Sequence, residues 1–180
     1  MRNLKRALSL TLASVMLLGM MVVGAGAASY PDVDEKDNIE AIEVLQAVKV
    51  MVGDEKGNFG PDQPVNRAQM AVVMALLLDL DYDYYEGTNP FKDVPAWAAP
   101  YVAACYANGI VSGYDAVTYG SGDPVTAVQA ASMMMRALGY FKYPSDYSNN
   151  GGFELATVKQ ASKIDLFRQI NANAKDPLTR

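Results

Sequence analysis

The apolar residues of this chain fall into segments with the spacing of amphipathic helices, separated by loops rich in glycine and proline. The first predicted helix is segment 38–51, whose apolar face is made of Ile39, Ile42, Leu45 and Val48. Further helices are predicted over three segments: 67–78, 96–107 and 127–138. Because the loops 53–61 and 114–122 interrupt the pattern, the order helix, loop, helix occurs twice.

The second helix of each pair begins with nearly the same residues. A Pro-Val pair precedes Asn66, and Gln69 follows three residues later; Thr126 and Gln129 repeat this arrangement 60 residues further on. This is a capping box, in which the Asn or Thr side chain accepts from the N3 amide and the Gln side chain accepts from the cap residue. A third copy begins at 176–180. A period of about 60 residues with two helices per copy indicates a tandem helical repeat.

The pattern predicts an all-α chain of two complete repeats and a partial third. A polar linker over 143–152 precedes the third repeat, whose helix would bury Leu155, Val158, Ala161 and Ile164. The last residues, 179–180, fall where its second helix would start, so we expect a truncated third repeat or the front of a longer protein. The predicted boundaries are 1–27 for a signal peptide and 28–85, 86–146 and 147–180 for the repeats.

The N-terminus has the layout of a secretory signal peptide. Three cations (Arg2, Lys5 and Arg6) precede an apolar run over 7–23, and the small residues 25–27 form a cleavage site. A retained membrane anchor is the alternative, but no positive flank follows the run. Cleavage after Ala27 would leave 12 basic and 20 acidic residues. A chain this acidic is a poor partner for nucleic acid, and no other segment has the length and apolarity of a membrane span.

The composition argues against catalysis and against metal binding. Cys105 is the only cysteine and the chain has no histidine, so we expect a buried thiol with no base to activate it. The acidic loop beginning at Asp54 resembles a calcium loop. It holds Phe59 and Val65 where that loop needs Gly and Glu. A carboxylate pair for glycoside hydrolysis is the remaining catalytic possibility, although the acids lie in loops and on polar helix faces.

Three motifs together resemble the S-layer homology repeat. Residues 91–98 read Phe-x-Asp-Val followed by Trp-Ala, residues 107–113 read Ala-x-Gly-Ile-Val-x-Gly, and residues 124–140 carry Pro-Val-Thr and Arg-Ala-Leu-Gly-Tyr. The resemblance implies three helical hairpins in a pseudo-threefold bundle. It also implies non-covalent binding, without cofactor, to a secondary polysaccharide of a Gram-positive-type cell wall, often one bearing ketal-linked pyruvate. The glycan would lie in grooves between neighbouring repeats.

The family motif places an arginine at the start of the second helix, where it meets the anionic sugar. In the first repeat this residue is Arg67, a guanidinium that can hold a carboxylate with paired N–H donors. The second repeat has Ala127 there, so its groove has lost the charged contact, and the third copy ends on Arg180. Trp97 fits the family's aromatic position as the wall of the Arg67 groove, or as a core residue between hairpins. The other candidate glycan contacts are Asn66, Gln69, Asp32, Asp93, Gly53 and Gly113.

These candidates also have structural interpretations. Arg67 could be a solvated residue of the first helical turn. Asp32 and Asp93 would cap the first helices or fix the turn before them, and Gly53 and Gly113 would permit a positive φ.

The predicted function is a secreted, non-catalytic anchor at the cell wall or surface layer. Two alternatives stay open: repeats that serve mainly for self-assembly into a surface array, and the anchoring end of a longer exported hydrolase.

Overall fold

The computed structural model describes residues 30–167 and 173–180. These residues contain six α-helices and one 3-10 helix, at Asp83–Tyr85. The helices are α1 Ile39–Ala47, α2 Arg67–Leu77, α3 Ala99–Ala107, α4 Ala127–Ala137, α5 Pro144–Ser148 and α6 Phe153–Lys163. The predicted all-α class is confirmed. The predicted signal peptide at 1–27 lies outside the described residues.

The chain divides into two compact units, Met1–Phe59 and Gly60–Arg180. In the described part of the first unit, the buried cluster consists of Tyr30, Ile42 and Phe59. Ile42 is the only buried member of the predicted apolar face, because Ile39 is 42% and Val48 57% exposed. The helix is also shorter than predicted: Asn38 is its N-cap, and it ends at Ala47.

In the second unit, each second helix of a repeat packs on the first helix of the next repeat: α2 on α3, and α4 on α6. The capping boxes predicted at Asn66 and Thr126 are both present. The start of α3 was predicted too early, at residue 96. The backbone turns at Pro95, and the N-cap Ala98 has no side chain that could satisfy an earlier helical amide.

The three copies of the cap segment meet in a closed ring of hydrogen bonds. The N–H of Val65 donates to the carbonyl of Leu178, the N–H of Leu178 to Val125, and the N–H of Val125 back to Val65, over 2.8–2.9 Å. Arg67, Ala127 and Arg180 donate their N–H groups to the carbonyls of Asp123, Asp176 and Gln63, in the opposite cyclic order. The ring satisfies amides that a helix start leaves unpaired. Each of the three cap segments is thus hydrogen-bonded to the other two. The pseudo-threefold bundle of complete hairpins stays a prediction.

The segment before the third repeat, predicted as a polar linker, contains α5. The Asp146 carboxylate accepts from the backbone N–H groups of Lys142 and Tyr143, each over 2.8 Å, and so fixes the first turn. Tyr147 then packs on Phe141 with ring centroids 4.5 Å apart. The sequence did not predict this helix, because five residues are too few to show the helical spacing of apolar positions.

The predicted buried face of α6 was right at Ala161 and wrong at Leu155 and Ile164. Leu155 is 46% and Ile164 37% exposed, whereas Ala156, Thr157 and Ala161 are buried. Small side chains face inward because Phe141 and Tyr147 already fill the space between α4 and α6. The spacing predicted a helix here, and the structure has one at Phe153–Lys163. The spacing did not predict which of its residues face the core.

Candidate functional site

Arg67, the first residue of α2, lies inside the second unit and is only 6% exposed. Its Nε donates to the carbonyl of Tyr119 over 3.0 Å, and its Nη2 to the carbonyl of Ser112 over 2.9 Å. The guanidinium also lies over two aromatic rings, 4.7 Å from the centroid of Tyr114 and 4.6 Å from that of Tyr119. The alternative interpretation of Arg67 as a solvated residue of the first helical turn is therefore wrong.

The two tyrosines are held in place by contacts of their own. Tyr119 is fully buried, its hydroxyl donates to the Arg67 carbonyl over 3.1 Å, and its ring stacks on Phe91. Tyr114 is more exposed, and its hydroxyl donates to Asp123 Oδ2 over 3.0 Å. Burial raises the pKa of both phenols, in opposition to the nearby guanidinium. Both rings are therefore neutral and present electron-rich faces to the cation.

The charge of Arg67 has no counter-ion among the described residues. The ion pairs there join Lys36 to Asp34 and Lys175 to Glu154, and no carboxylate lies within 4 Å of the Arg67 guanidinium. Arginine does not lose its proton in proteins. A buried, permanently charged group whose protein partners are neutral carbonyls and rings favours binding an anion.

Arg67 opens onto a cavity of about 180 Å³, here called the Arg67 pocket. A second guanidinium, that of Arg136, lines it as well; its Nε donates to the Tyr147 hydroxyl over 2.9 Å and its Nη1 to Ser112 Oγ over 3.3 Å. No Asp or Glu is among the described residues that line the pocket. Further lining residues are Ser112, Gly113, Tyr114, Gln129, Ser132 and Phe153.

Trp97, predicted as the aromatic wall of the Arg67 groove, lies outside the Arg67 pocket. Trp97 is 56% exposed and does not line the Arg67 pocket, whereas Phe153 does. Phe153 is the counterpart of Trp97 in the third repeat, since it follows Trp97 by 56 residues, the offset that also separates Ile110 from Leu166. That alignment was available in the sequence. The sequence did not show the packing that brings Phe153 of the third repeat, rather than Trp97 of the second, to the Arg67 pocket.

Asp32 and Asp93 fix the loops before the second helices and do not cap the first ones. Asp32 accepts from the Phe59 N–H over 2.8 Å, and Asp93 accepts from three backbone N–H groups, at Tyr119, Gly120 and Ser121. Desolvation opposes ionisation of Asp93, but these N–H groups outweigh it and hold the pKa of its carboxyl below the usual range. Asp93 thereby positions Tyr119 under Arg67.

Gly53 and Gly113 are required for space, and the predicted positive φ is absent at both. A Cβ on Gly53 would clash with the Tyr30 ring, and one on Gly113 would clash with the Phe91 ring. Of the two, Gly113 lines the Arg67 pocket.

The remaining candidates lie at the cap segments. Asn66 and Gln69 use their side-chain oxygens in the capping box. Ala127 is 3% exposed at the position equivalent to Arg67. Arg180 takes part in the backbone ring through its N–H and does not line the Arg67 pocket. Glycan contact at these residues stays a prediction.

The family model for the S-layer homology domain matches residues 29–71 and 90–126. Together with similarity to cell-surface proteins over most of the sequence, this match shows that the chain belongs to the S-layer homology domain family. The predicted family is confirmed.

Similar proteins include a cell surface protein of Thermoanaerobacter kivui, 31% identical over 148 residues, which are 78% of this chain and 19% of that protein. The middle cell wall protein of Brevibacillus brevis is 26% identical over 176 residues, 93% of this chain and 16% of its own length. An endoglucanase of Bacillus sp. strain KSM-635 is 29% identical over 151 residues, 78% of this chain and 16% of the enzyme. The chain thus spans less than a fifth of these relatives.

The family match and these relatives assign the chain to the cell surface or cell wall, as predicted. S-layer homology repeats are anchoring modules without catalytic activity. Within the described ranges, every helix is too short or too polar to span a bilayer. In the same ranges, no group of three or more Cys, Asp or Glu side chains is arranged to hold a metal ion.

Proposed function

We propose that this chain anchors an exported protein to the cell wall by binding an anionic, pyruvylated secondary cell-wall polysaccharide in the Arg67 pocket. The observation that carries the proposal is the buried Arg67 guanidinium, which lacks a carboxylate partner among the described residues and faces a cavity lined by a second guanidinium. A cavity of about 180 Å³ is smaller than the roughly 300–1,000 Å³ of typical ligand sites. It suits one charged substituent better than a whole ligand.

A purely structural role for Arg67 is the competing explanation. The side chain joins the loop at Ser112 to the loop at Tyr119, and both hydrogen bonds would stabilise the fold without any ligand. That explanation accounts for Nε and Nη2 but not for Arg136, whose guanidinium lines the same cavity. Two cations close to one cavity repel each other, and an anion between them relieves the repulsion.

Sedimentation with purified wall sacculi tests the proposal. The protein should sediment with native sacculi and stay in solution with sacculi stripped of their secondary polysaccharide. Arg67→Ala and Arg136→Gln should each reduce sedimentation, because a charge-assisted hydrogen bond contributes on the order of 1.5–3 kcal/mol. Lys175→Ala is the matched control, since it removes an exposed cation that lies outside the pocket.

Thermal unfolding of each variant separates lost binding from lost folding. Arg136→Gln is the safer variant in this respect, because Arg136 is only partly buried. Equal sedimentation of the wild type with native and stripped sacculi would contradict the proposal. So would unchanged sedimentation of both arginine variants.

The similarity to an endoglucanase favours a second candidate function, in which the chain is also an anchoring module. This chain matches 16% of that enzyme, as expected if the matched region is an anchoring module that different exported proteins share. The chain would then be the anchoring end of an exported hydrolase. The gene sequence beyond the codon for Arg180 decides this point, because a hydrolase requires a catalytic domain encoded in the same reading frame.

A further inference from the structure

A second cavity of about 480 Å³ adjoins the Arg67 pocket. The two cavities share four lining residues: Val111, Ser112, Arg136 and Phe153. Arg136 therefore lies where one cavity passes into the other. Its position is fixed from the protein side by the Tyr147 hydroxyl and by Ser112 Oγ. The second cavity falls within the volume range of ordinary ligand sites.

Exposed aromatic side chains form much of the wall of this second cavity. Tyr143 is 66%, Tyr106 49% and Phe153 41% exposed. Two of them are supported from behind: Tyr106 packs edge-on against Phe91 at 5.2 Å, and Phe153 lies 5.4 Å from Tyr147. Rigid aromatic side chains with one free face and a polar tip suit a ligand that has both apolar C–H faces and hydroxyl groups.

Like the Arg67 pocket, the second cavity is lined by cationic side chains. Lys142 and Arg136 line it, and no Asp or Glu is among its described lining residues. The nearest acid along the chain, Asp146, accepts hydrogen bonds from the backbone of Lys142 and Tyr143. Asp146 thus holds these two residues in position while leaving their side chains available. The sequence of the whole chain is acidic, so a local surface with two cations and no acid is selective for anionic ligands.

We infer that this second cavity, lined by Tyr106, Lys142, Tyr143 and Phe153, binds the next pyranose unit of the same anionic glycan. The inference rests on the proposed function, since the charged substituent occupies the Arg67 pocket and Arg136 contacts both units. The occupant is a sugar because the cavity continues directly from the anion site and combines stacking surfaces with cations. Specificity for a chain of at least two sugars would then come from α5 and the residues just before it.

Calorimetric titration of the full chain with two probes tests the inference. The first probe is a hexopyranose methyl glycoside bearing a pyruvyl ketal, and the second is the same unit extended by one hexopyranose. The extension should tighten binding to the wild type roughly five- to tenfold, the gain expected from stacking on one aromatic side chain. Tyr143→Ala and Lys142→Ala should each reduce that gain to less than about twofold and leave the affinity for the shorter probe unchanged.

Tyr140→Ala is the matched control. Tyr140 belongs to the same segment and is 44% exposed, but it does not line the cavity, so the variant should keep the full gain. If the wild type binds both probes equally, or if Tyr143→Ala and Lys142→Ala keep the full gain, the second subsite is overturned and the proposed function stands. If the wild type binds neither probe, the proposed function fails and the subsite fails with it.

Discussion

The first residue of α2 is Arg67, and the first residue of α4 is Ala127. Each helix start has a complete capping box, and each first residue donates its N–H to a carbonyl of another repeat, over 2.9 and 3.0 Å. Both side chains are buried. The backbone frame therefore forms equally with a guanidinium or with a methyl group at this position, and the frame alone does not require the cation.

What distinguishes the two sites is the surroundings of the side chain. Arg67 has a carbonyl and an aromatic ring from the loop at Tyr119, a second ring from Tyr114, and an open cavity beyond. These groups keep a charge buried without neutralising it. The cap is therefore the constant structural part of these two helix starts. Under the proposed function, the residue after the cap would determine whether a groove binds an anion.

The largest effect is expected where the support of Arg67 is removed. Tyr119→Ala deletes a fully buried ring that stacks on Phe91 and lies under the guanidinium, and it should lower the free energy of unfolding by about 3–5 kcal/mol. Tyr119→Phe should cost only about 1 kcal/mol, because it loses the hydrogen bond to the Arg67 carbonyl and keeps the ring. Denaturant unfolding measures both. Similar losses for the two variants would show that the ring does not support Arg67.

A smaller effect should be equal at the two helix starts. Asn66→Ala and Thr126→Ala each remove one capping box and should each reduce the free energy of unfolding by about 1 kcal/mol. Glycan binding should change by less than about threefold in both, because Arg67 is held by Ser112 and Tyr119 and not by its cap. A loss of stability confined to one of the two variants would contradict the view that the cap is the structural constant.

The smallest effect concerns the loop that positions Tyr119. The pKa of Asp93 is lower in the folded than in the unfolded chain, where it is about 3.9. Its stabilising contribution is therefore fully present above that value and is lost as the pH falls through the folded pKa. Thermal unfolding between pH 6 and pH 2.5 should show a decline in the wild type that is reduced in Asp93→Asn. Parallel curves for the two proteins would rule out this role.

The sequence predicted the helix starts well because capping boxes are local. Asn66 and Thr126 determine where α2 and α4 begin without help from the rest of the fold. The start of α3 was missed for the corresponding reason, because it has no capping side chain. The short α5 was missed although Asp146 fixes its first turn, because five residues are too few to show a helical pattern. The inward face of α6 depends on Phe141 and Tyr147, which come from another segment, so periodicity alone placed Leu155 and Ile164 wrongly in the core.

The sequence predicted the charged residue of the candidate site but not the residues that surround it. Arg67 follows a cap, and the family motif assigns it to the ligand. The residues around it come from positions 45–86 residues further along the chain: Ser112, Tyr114, Tyr119 and Phe153. Contacts at such distances depend on how the repeats pack. The choice of Phe153 over Trp97 needed that packing, although the repeat alignment makes the two residues equivalent.

The most direct test of the central claim changes the charge of the ligand and leaves the protein intact. Wild type and Arg67→Lys would be titrated with the pyruvylated hexose glycoside and with its methyl ester, which lacks the negative charge. We expect the wild type to bind the acid at least about tenfold more tightly than the ester. Arg67→Lys should show a much smaller preference, since a lysine cannot make the paired hydrogen bonds. Equal binding of acid and ester by the wild type would contradict the claim that the Arg67 pocket is an anion site.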